Sequence, residues 1–138
     1  MGVILSTAGC VLGAANDGLT EPGLIGHWKC VSATVDGKEL PGETVAALRL
    51  ELTKDRYRTV KGKEVLFDSA YRIETASSPK KIFMVGTEGE ATGKEASGIY
   101  KFQQDQLWIC YTMPGDPPPT AFESGAGSKR YLVVWTRE

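Results

Sequence analysis

The chain of 138 residues carries one histidine, His27, and three cysteines, Cys10, Cys30 and Cys110. One imidazole excludes a two-histidine metal site and leaves a Ser/His/Asp arrangement a single candidate base. No C-x-x-C spacing occurs, so neither a zinc site nor a thioredoxin-type centre is supported. Gly89-Glu-Ala-Thr-Gly93-Lys94 has the glycines and lysine of a phosphate loop, but three residues separate the glycines where four are needed. Glu95 also stands where Ser or Thr should hold magnesium. A phosphate loop opens a helix, whose N-terminal amides cradle the anion, whereas this segment joins two predicted strands. Glu88, Glu90 and Glu95 bring carboxylates together without calcium-loop spacing, and Lys94 dilutes their charge, so they read as a solvated loop. Ser124-Gly-Ala-Gly127-Ser128 lacks the strand-to-helix setting of a nucleophile elbow and reads as a turn. No enzyme constellation emerges, and no cofactor or metal is expected.

Lys and Arg number 16 against 17 Asp and Glu, a net charge of −1. A nucleic-acid binder usually shows a basic excess, so that partner class is disfavoured. What remains is binding or recognition through apolar and aromatic side chains, and those need a scaffold. Sixteen glycines and seven prolines make roughly 17% of the chain, against about 12% on average, which implies many turns. From His27 onward the hydrophobic period is two. Leu48, Leu50 and Leu52 alternate with Arg49, Glu51 and Thr53; Tyr57 and Thr59 alternate with Arg56 and Arg58. Val65, Phe67, Tyr71 and Ile73 are assigned to one face, opposite Asp68, Arg72 and Glu74. Eight strands are predicted, near residues 28–35, 48–52, 56–59, 65–74, 82–85, 98–102, 107–112 and 131–137.

Turn signals such as Asp36-Gly37, Lys61-Gly62 and Ser77-Ser78-Pro79 separate them, and most gaps are too short for helical crossovers. One short helix is predicted at 43–48. Eight antiparallel strands in an up-and-down meander, each with one buried face, remove their edges best by closing into an all-β barrel. Residues 114–119 contain three consecutive prolines, which favour a stiff loop without amide donors for a ladder.

The first residues differ in kind. Residues 3–15 are apolar or small and uncharged, too few to span a bilayer as a helix. They fit the apolar core of a secretory leader over 1–15 with cleavage before Asn16, although no Lys or Arg precedes them. Residues 16–23 then form a linker and 24–138 the barrel domain. The resulting setting is extracytoplasmic, periplasmic or secreted. Thr7-Ala8-Gly9-Cys10 offers a second reading, a lipoprotein anchored to a membrane through Cys10; a loosely packed arm is the third. An exported chain could pair Cys30 with Cys110. Both fall in strands not expected to be neighbours, so they are read as small buried apolar side chains.

Gly26-His27-Trp28 opens the first strand and Trp135-Thr136-Arg137 closes the last. This Gly-x-Trp with a distant Arg resembles the lipocalin and calycin barrels. That resemblance implies a structural trio at one barrel end: Gly26, Trp28 plugging it, and Arg137 lying across the indole. His27, next in sequence, is expected to pack beside Trp28 there, which leaves a His-based mechanism without a partner. Leu24-Ile25-Gly26-His27-Trp28-Lys29, Asp36-Gly37-Lys38, Gly98-Ile99-Tyr100-Lys101, Leu107 to Tyr111 and Pro119 to Ser124 together are similar to an uncharacterised lipocalin-like domain family common in planctomycete proteins. The resemblance implies a small barrel and an envelope setting, with no established activity or ligand.

Two functions follow. In the first, the barrel holds a small hydrophobic ligand, with Tyr57, Phe67, Tyr71, Tyr100, Tyr111 and Phe122 as candidate interior walls. In the second, the interior is filled and the loops near 88–95 and 114–119 recognise an envelope or secreted protein partner.

Overall fold

The computed structural model describes residues 21–87 and 92–138. The predicted leader, Cys10, most of the linker, and Glu88 to Ala91 of the acidic loop lie outside the described residues.

Among the described residues nine strands and one short α-helix follow in order: β1 (Gly26–Val35), β2 (Lys38–Glu39), α1 (Gly42–Ala47), β3 (Leu48–Leu52), β4 (Arg56–Lys61), β5 (Glu64–Glu74), β6 (Lys80–Gly86), β7 (Glu95–Gln103), β8 (Gln106–Thr112) and β9 (Tyr131–Arg137). From β3 to β9 each strand pairs antiparallel with the next, β1 pairs with β3, and β1 also pairs with β9. That last pairing runs from Trp28 opposite Arg137 to Val35 opposite Tyr131 and closes the sheet on itself. The result is the eight-strand antiparallel barrel expected from the period of two. The two-residue β2 is an addition that extends a hairpin on β1. Asp36 and Gly37 at its tip have φ of 52° and 85°, the left-handed pair that a tight hairpin turn demands.

Alternation sorts the side chains. Leu48, Leu50 and Leu52 are buried in the barrel while Arg49 and Glu51 face outward. Two bulges break the alternation. In β1, Cys30 lies opposite Trp135 and Ser32 opposite Val134, so Val31 is the extra residue and is exposed. In β5, Thr59 lies opposite Phe67 and Val60 opposite Val65, with Leu66 extra. An inserted residue reverses the facing of everything beyond it. Val65 is therefore opposite Val60 on the outer face, not beside Phe67 as the sequence spacing implied.

α1 follows Pro41, carries Glu43 in its first turn, where a carboxylate suits the helix dipole, and runs directly into β3. Hairpin turns place it at the same end of the barrel as the β1–β2 tip, the β4–β5 turn and the start of β9. The segment from Met113 to Arg130 leaves that end and covers part of the outer wall. Beneath it Ile99, Cys110, Thr112 and Val134 are buried although they belong to the outward face of β7, β8 and β9. Thr112 Oγ1 donates to Pro117 O at 3.0 Å, and the Cys110 thiol donates to Glu123 O at 3.6 Å. Ser124 Oγ donates to Arg130 O, and Lys129 N donates to Asp36 Oδ1. Pro119 is buried while Pro117 and Pro118 are exposed, so the proline run is one edge of this cover.

Cys30 packs against the barrel core, Cys110 lies under the outer cover, and both are free. β9 separates their strands, which accounts for the absence of a bond.

Candidate functional site

At the end where β1 begins, the residues before it form a plug. A single 3-10 turn over Pro22–Leu24 drives Leu24 fully into the core. Trp28 Nε1 donates to Leu24 O at 3.0 Å. Arg137 reaches over from β9: Nη1 donates to Ile25 O and Nη2 to Gly23 O, each at 2.7 Å, and its Cζ stands 4.0 Å from the Trp28 ring centroid. Gly26, at φ 141°, leaves the space that the guanidinium occupies; a Cβ there would collide with Arg137 Nη1. Next to this trio Tyr100 donates its hydroxyl to Glu21 Oε1 at 2.6 Å, and Lys80 Nζ lies 3.2 Å from the same oxygen. Burial, and then the bond to the Glu21 carboxylate, raise the Tyr100 phenol far above its ordinary range. Leu24 and Trp28 fill the barrel interior at this end, and a surface groove lined by Glu21, Trp28, Phe102 and Arg137 lies outside them. His27 does not join the plug: alternation points the imidazole outward, exposed and opposite Glu51, away from the Trp28 face.

The opposite end is not filled. Between the strand ends lies a cavity of about 260 Å³. Its walls include Ala33, Tyr57, Phe67, Tyr111, Val133 and Trp135, and its mouth is framed by Leu40 and Thr44 near α1, Leu66 of the β5 bulge, Met113 and Tyr131. Tyr57 meets Phe67 edge-on at 5.8 Å, and Tyr111 stacks on Tyr131 at 4.9 Å. No lining residue carries a formal charge at neutral pH. Burial pushes the Tyr57 phenol well above its usual value, with the neighbouring Tyr111 and Cys30 adding to the rise. Burial and then Tyr131 do the same to Tyr111. Burial also lifts the Cys30 thiol to about 11, against smaller opposing effects of its bond to Ser32 and of Arg49. All these groups are held neutral.

Trp135 is 2% exposed and its Nε1 has no hydrogen-bond partner. Ser69 Oγ, opposite Tyr57 on the interior face of β5, is a second buried atom without one. A buried donor left unpaired costs about 1–3 kcal/mol.

Of the six interior aromatics expected from the sequence, Tyr57, Phe67 and Tyr111 meet at the cavity. Tyr71 faces inward but is committed elsewhere, donating its hydroxyl to Thr53 O at 2.7 Å. Tyr100 belongs to the closed end. Phe122 is not interior: it belongs to the outer cover, where Lys101 Nζ sits 4.5 Å from its ring and 4.9 Å from that of Trp108. Lys101 alternates with the inward-facing Tyr100, which fixes Phe122 on the outside. Trp135, Tyr131 and Val133 were missed as site residues, although their spacing of two in β9 marks one shared face.

No family model, no curated protein and no solved structure matches this chain. The site's chemistry therefore rests on its own residues. Apolar walls and neutral phenols can enclose and orient an uncharged guest. Among the described residues no group of three or more His, Cys, Asp or Glu is placed to hold a metal ion.

Proposed function

We propose that this protein is a non-enzymatic binding protein that holds one small apolar molecule in the cavity at the open end of its barrel. The observation that carries this reading is the roughly 260 Å³ of space enclosed by aromatic and aliphatic walls. That volume lies just below the usual range of ligand pockets, about 300–1,000 Å³, which suits a small guest. Placement of the carrier outside the cytoplasm belongs to the same proposal, supported by the apolar, uncharged residues 3–15. The test is native mass spectrometry of protein purified from its own host, paired with thermal melting against a panel of hydrophobic compounds. A co-purifying mass, or a compound-dependent rise in Tm, is the expected result. Bare polypeptide in every preparation together with no shift from any compound would overturn the reading.

A second reading, recognition of an envelope or secreted protein, draws support from Pro117 and Pro118. They are exposed on a segment anchored by the buried Pro119 and the Thr112–Pro117 bond. Changing both to Ser should abolish partner capture from an envelope extract, and unchanged capture would remove the role of this segment.

A further inference from the structure

We propose that the surface groove outside the plugged end is a second binding site, which takes a neutral saccharide of about two rings laid against Phe102. It is independent of the open-end cavity, and either site can stand without the other.

The groove measures about 590 Å³, within the usual range of about 300–1,000 Å³ for ligand sites. A space of about 150 Å³ holds one benzene ring, which leaves room here for two sugar rings. Phe102 shares the inward face of β7 with Tyr100 and lies opposite Leu107. Tyr100 and Leu107 are fully buried, whereas Phe102, at the barrel rim, is 40% exposed. Its ring offers a flat apolar surface of the kind that the C–H face of a sugar packs against.

The turn beside it is costly to keep. Gln104 and Asp105 join β7 to β8 with φ of 52° and 64°, so both central residues of a two-residue hairpin loop are left-handed. Asn-Gly or Asp-Gly is the favoured pair for such a loop, and Asp36-Gly37 supplies it in the β1–β2 hairpin. Here neither residue is glycine, and Gln is a poor left-handed residue. Both side chains are exposed and line the groove, as does exposed Gln103. A strained turn that presents two amides and a carboxylate to one groove is explained by what those groups bind.

The lining selects among ligands. Among the described residues the one cation that lines the groove is Arg137, whose Nη1 and Nη2 already donate to Ile25 O and Gly23 O. Glu21 and Asp105 are acidic, so a phosphate or carboxylate would meet two like charges and an engaged guanidinium. An apolar guest would strip water from the amides and carboxylates without replacing its bonds. A peptide adds to a strand edge or fills apolar pockets. β7 and β8 are paired on both sides, and none of the described lining residues is aliphatic. A sugar meets every condition: its hydroxyls donate to carboxylates and accept from amide NH₂ groups, and it carries no charge.

¹H–¹⁵N spectra of the full chain test this, titrated with cellobiose, maltose, lactose and N,N′-diacetylchitobiose, and separately with sorbitol and the blocked peptide acetyl-Ala-Phe-Ser-Ala-amide. At least one disaccharide should shift the backbone amides of Gln104 and Asp105 and the side-chain NH₂ of Gln104, and the shifts should saturate. Sorbitol, which has the hydroxyls without the ring, should leave those signals in place. Phe102→Ala should weaken the binding about tenfold. Gln104→Asn combined with Asp105→Gly keeps the turn and removes its strain, so it should raise Tm by a few degrees yet weaken binding about as much as Phe102→Ala. Silence from all four disaccharides, equal shifts from sorbitol, or a response to the peptide alone would overturn the inference. So would unchanged affinity in Phe102→Ala, or a doubly substituted turn that melts no higher or binds as tightly. None of these results bears on the open-end cavity.

Discussion

At one end of the barrel Trp28 Nε1 finds Leu24 O, and Arg137 finds two backbone carbonyls and an indole face. At the other, Trp135 is just as deeply buried, yet its Nε1 finds no partner and its ring borders empty space. Both ends are lined with large aromatic side chains, so aromatic content does not distinguish them. The difference is made by short segments that plug or fail to plug. The turn at Pro22–Leu24 inserts Leu24 into one end. At the other, α1 presents Thr44 to the mouth without a buried residue of its own, and the segment after Met113 turns outward to cover the wall. The buried hydrogen bonds and the cation–π contact thus gather at the plugged end and the cavity at the unplugged one.

That contrast is exposed to test by substitution at each end. Trp28→Ala should produce the largest loss, about 3–5 kcal/mol by denaturant unfolding, because a buried indole, its bond and its cation–π partner go together. A loss below about 1 kcal/mol would mean the plugged end is not the anchor. Gly26→Ala should cost about 2 kcal/mol through its positive φ and the displaced guanidinium. The same change made in an Arg137→Ala background should cost measurably less, and strict additivity would refute the proposed clash.

Alkaline pH probes the groups held neutral at the unplugged end. Cys30, Tyr57 and Tyr111 all have raised values in the fold. Between the unfolded and folded values the native state binds more protons, so stability is full below about pH 9 and falls as pH rises. Cys30 alone should contribute no more than about 1 kcal/mol, because the thiol is partly solvated and its interactions are screened. Tyr57→Phe should flatten the fall above pH 10; an unchanged slope would show that this phenol ionises as freely as in the unfolded chain.

Ala33→Leu, which adds bulk to the cavity wall, should change stability by less than about 1 kcal/mol yet abolish the compound-induced rise in Tm. Smallest of all, Leu66→Ser at the exposed bulge should lie within about 0.5 kcal/mol of the unaltered protein. A large loss there would make the mouth part of the structural core.

Much of this architecture could be read from residue spacing, and the exceptions have a common cause. Leu48, Leu50 and Leu52 alternate without interruption, and β3 lies where the pattern puts it. The trio of Gly26, Trp28 and Arg137 was expected from a resemblance, and its geometry is present atom by atom. The facing of Val65 was misread because an extra residue at Leu66 resets the alternation, and no local residue type announces a bulge. Phe122 was assigned to the interior because a large aromatic side chain suggests a core; the sequence carries no sign that the outer wall has a cover of its own. The cavity was equally hidden: whether Tyr57 and Trp135 touch or leave a gap depends on volumes summed around the whole ring of strands.

The seam between β1 and β9 has a kinetic meaning. Ile25 and Arg137, joined across it, are 112 positions apart, whereas the other strand pairs are linked by hairpins or, for β1–β3 and β8–β9, by connections of fewer than twenty residues. Relative to a ten-residue hairpin, closing a loop of that length costs about 2 kcal/mol more in chain entropy. The seam, whose loop is longer than any other in the barrel, is therefore expected to zip last in folding and to part first under strain. Arg137 then acts as a latch: its removal should speed unfolding far more than it slows folding.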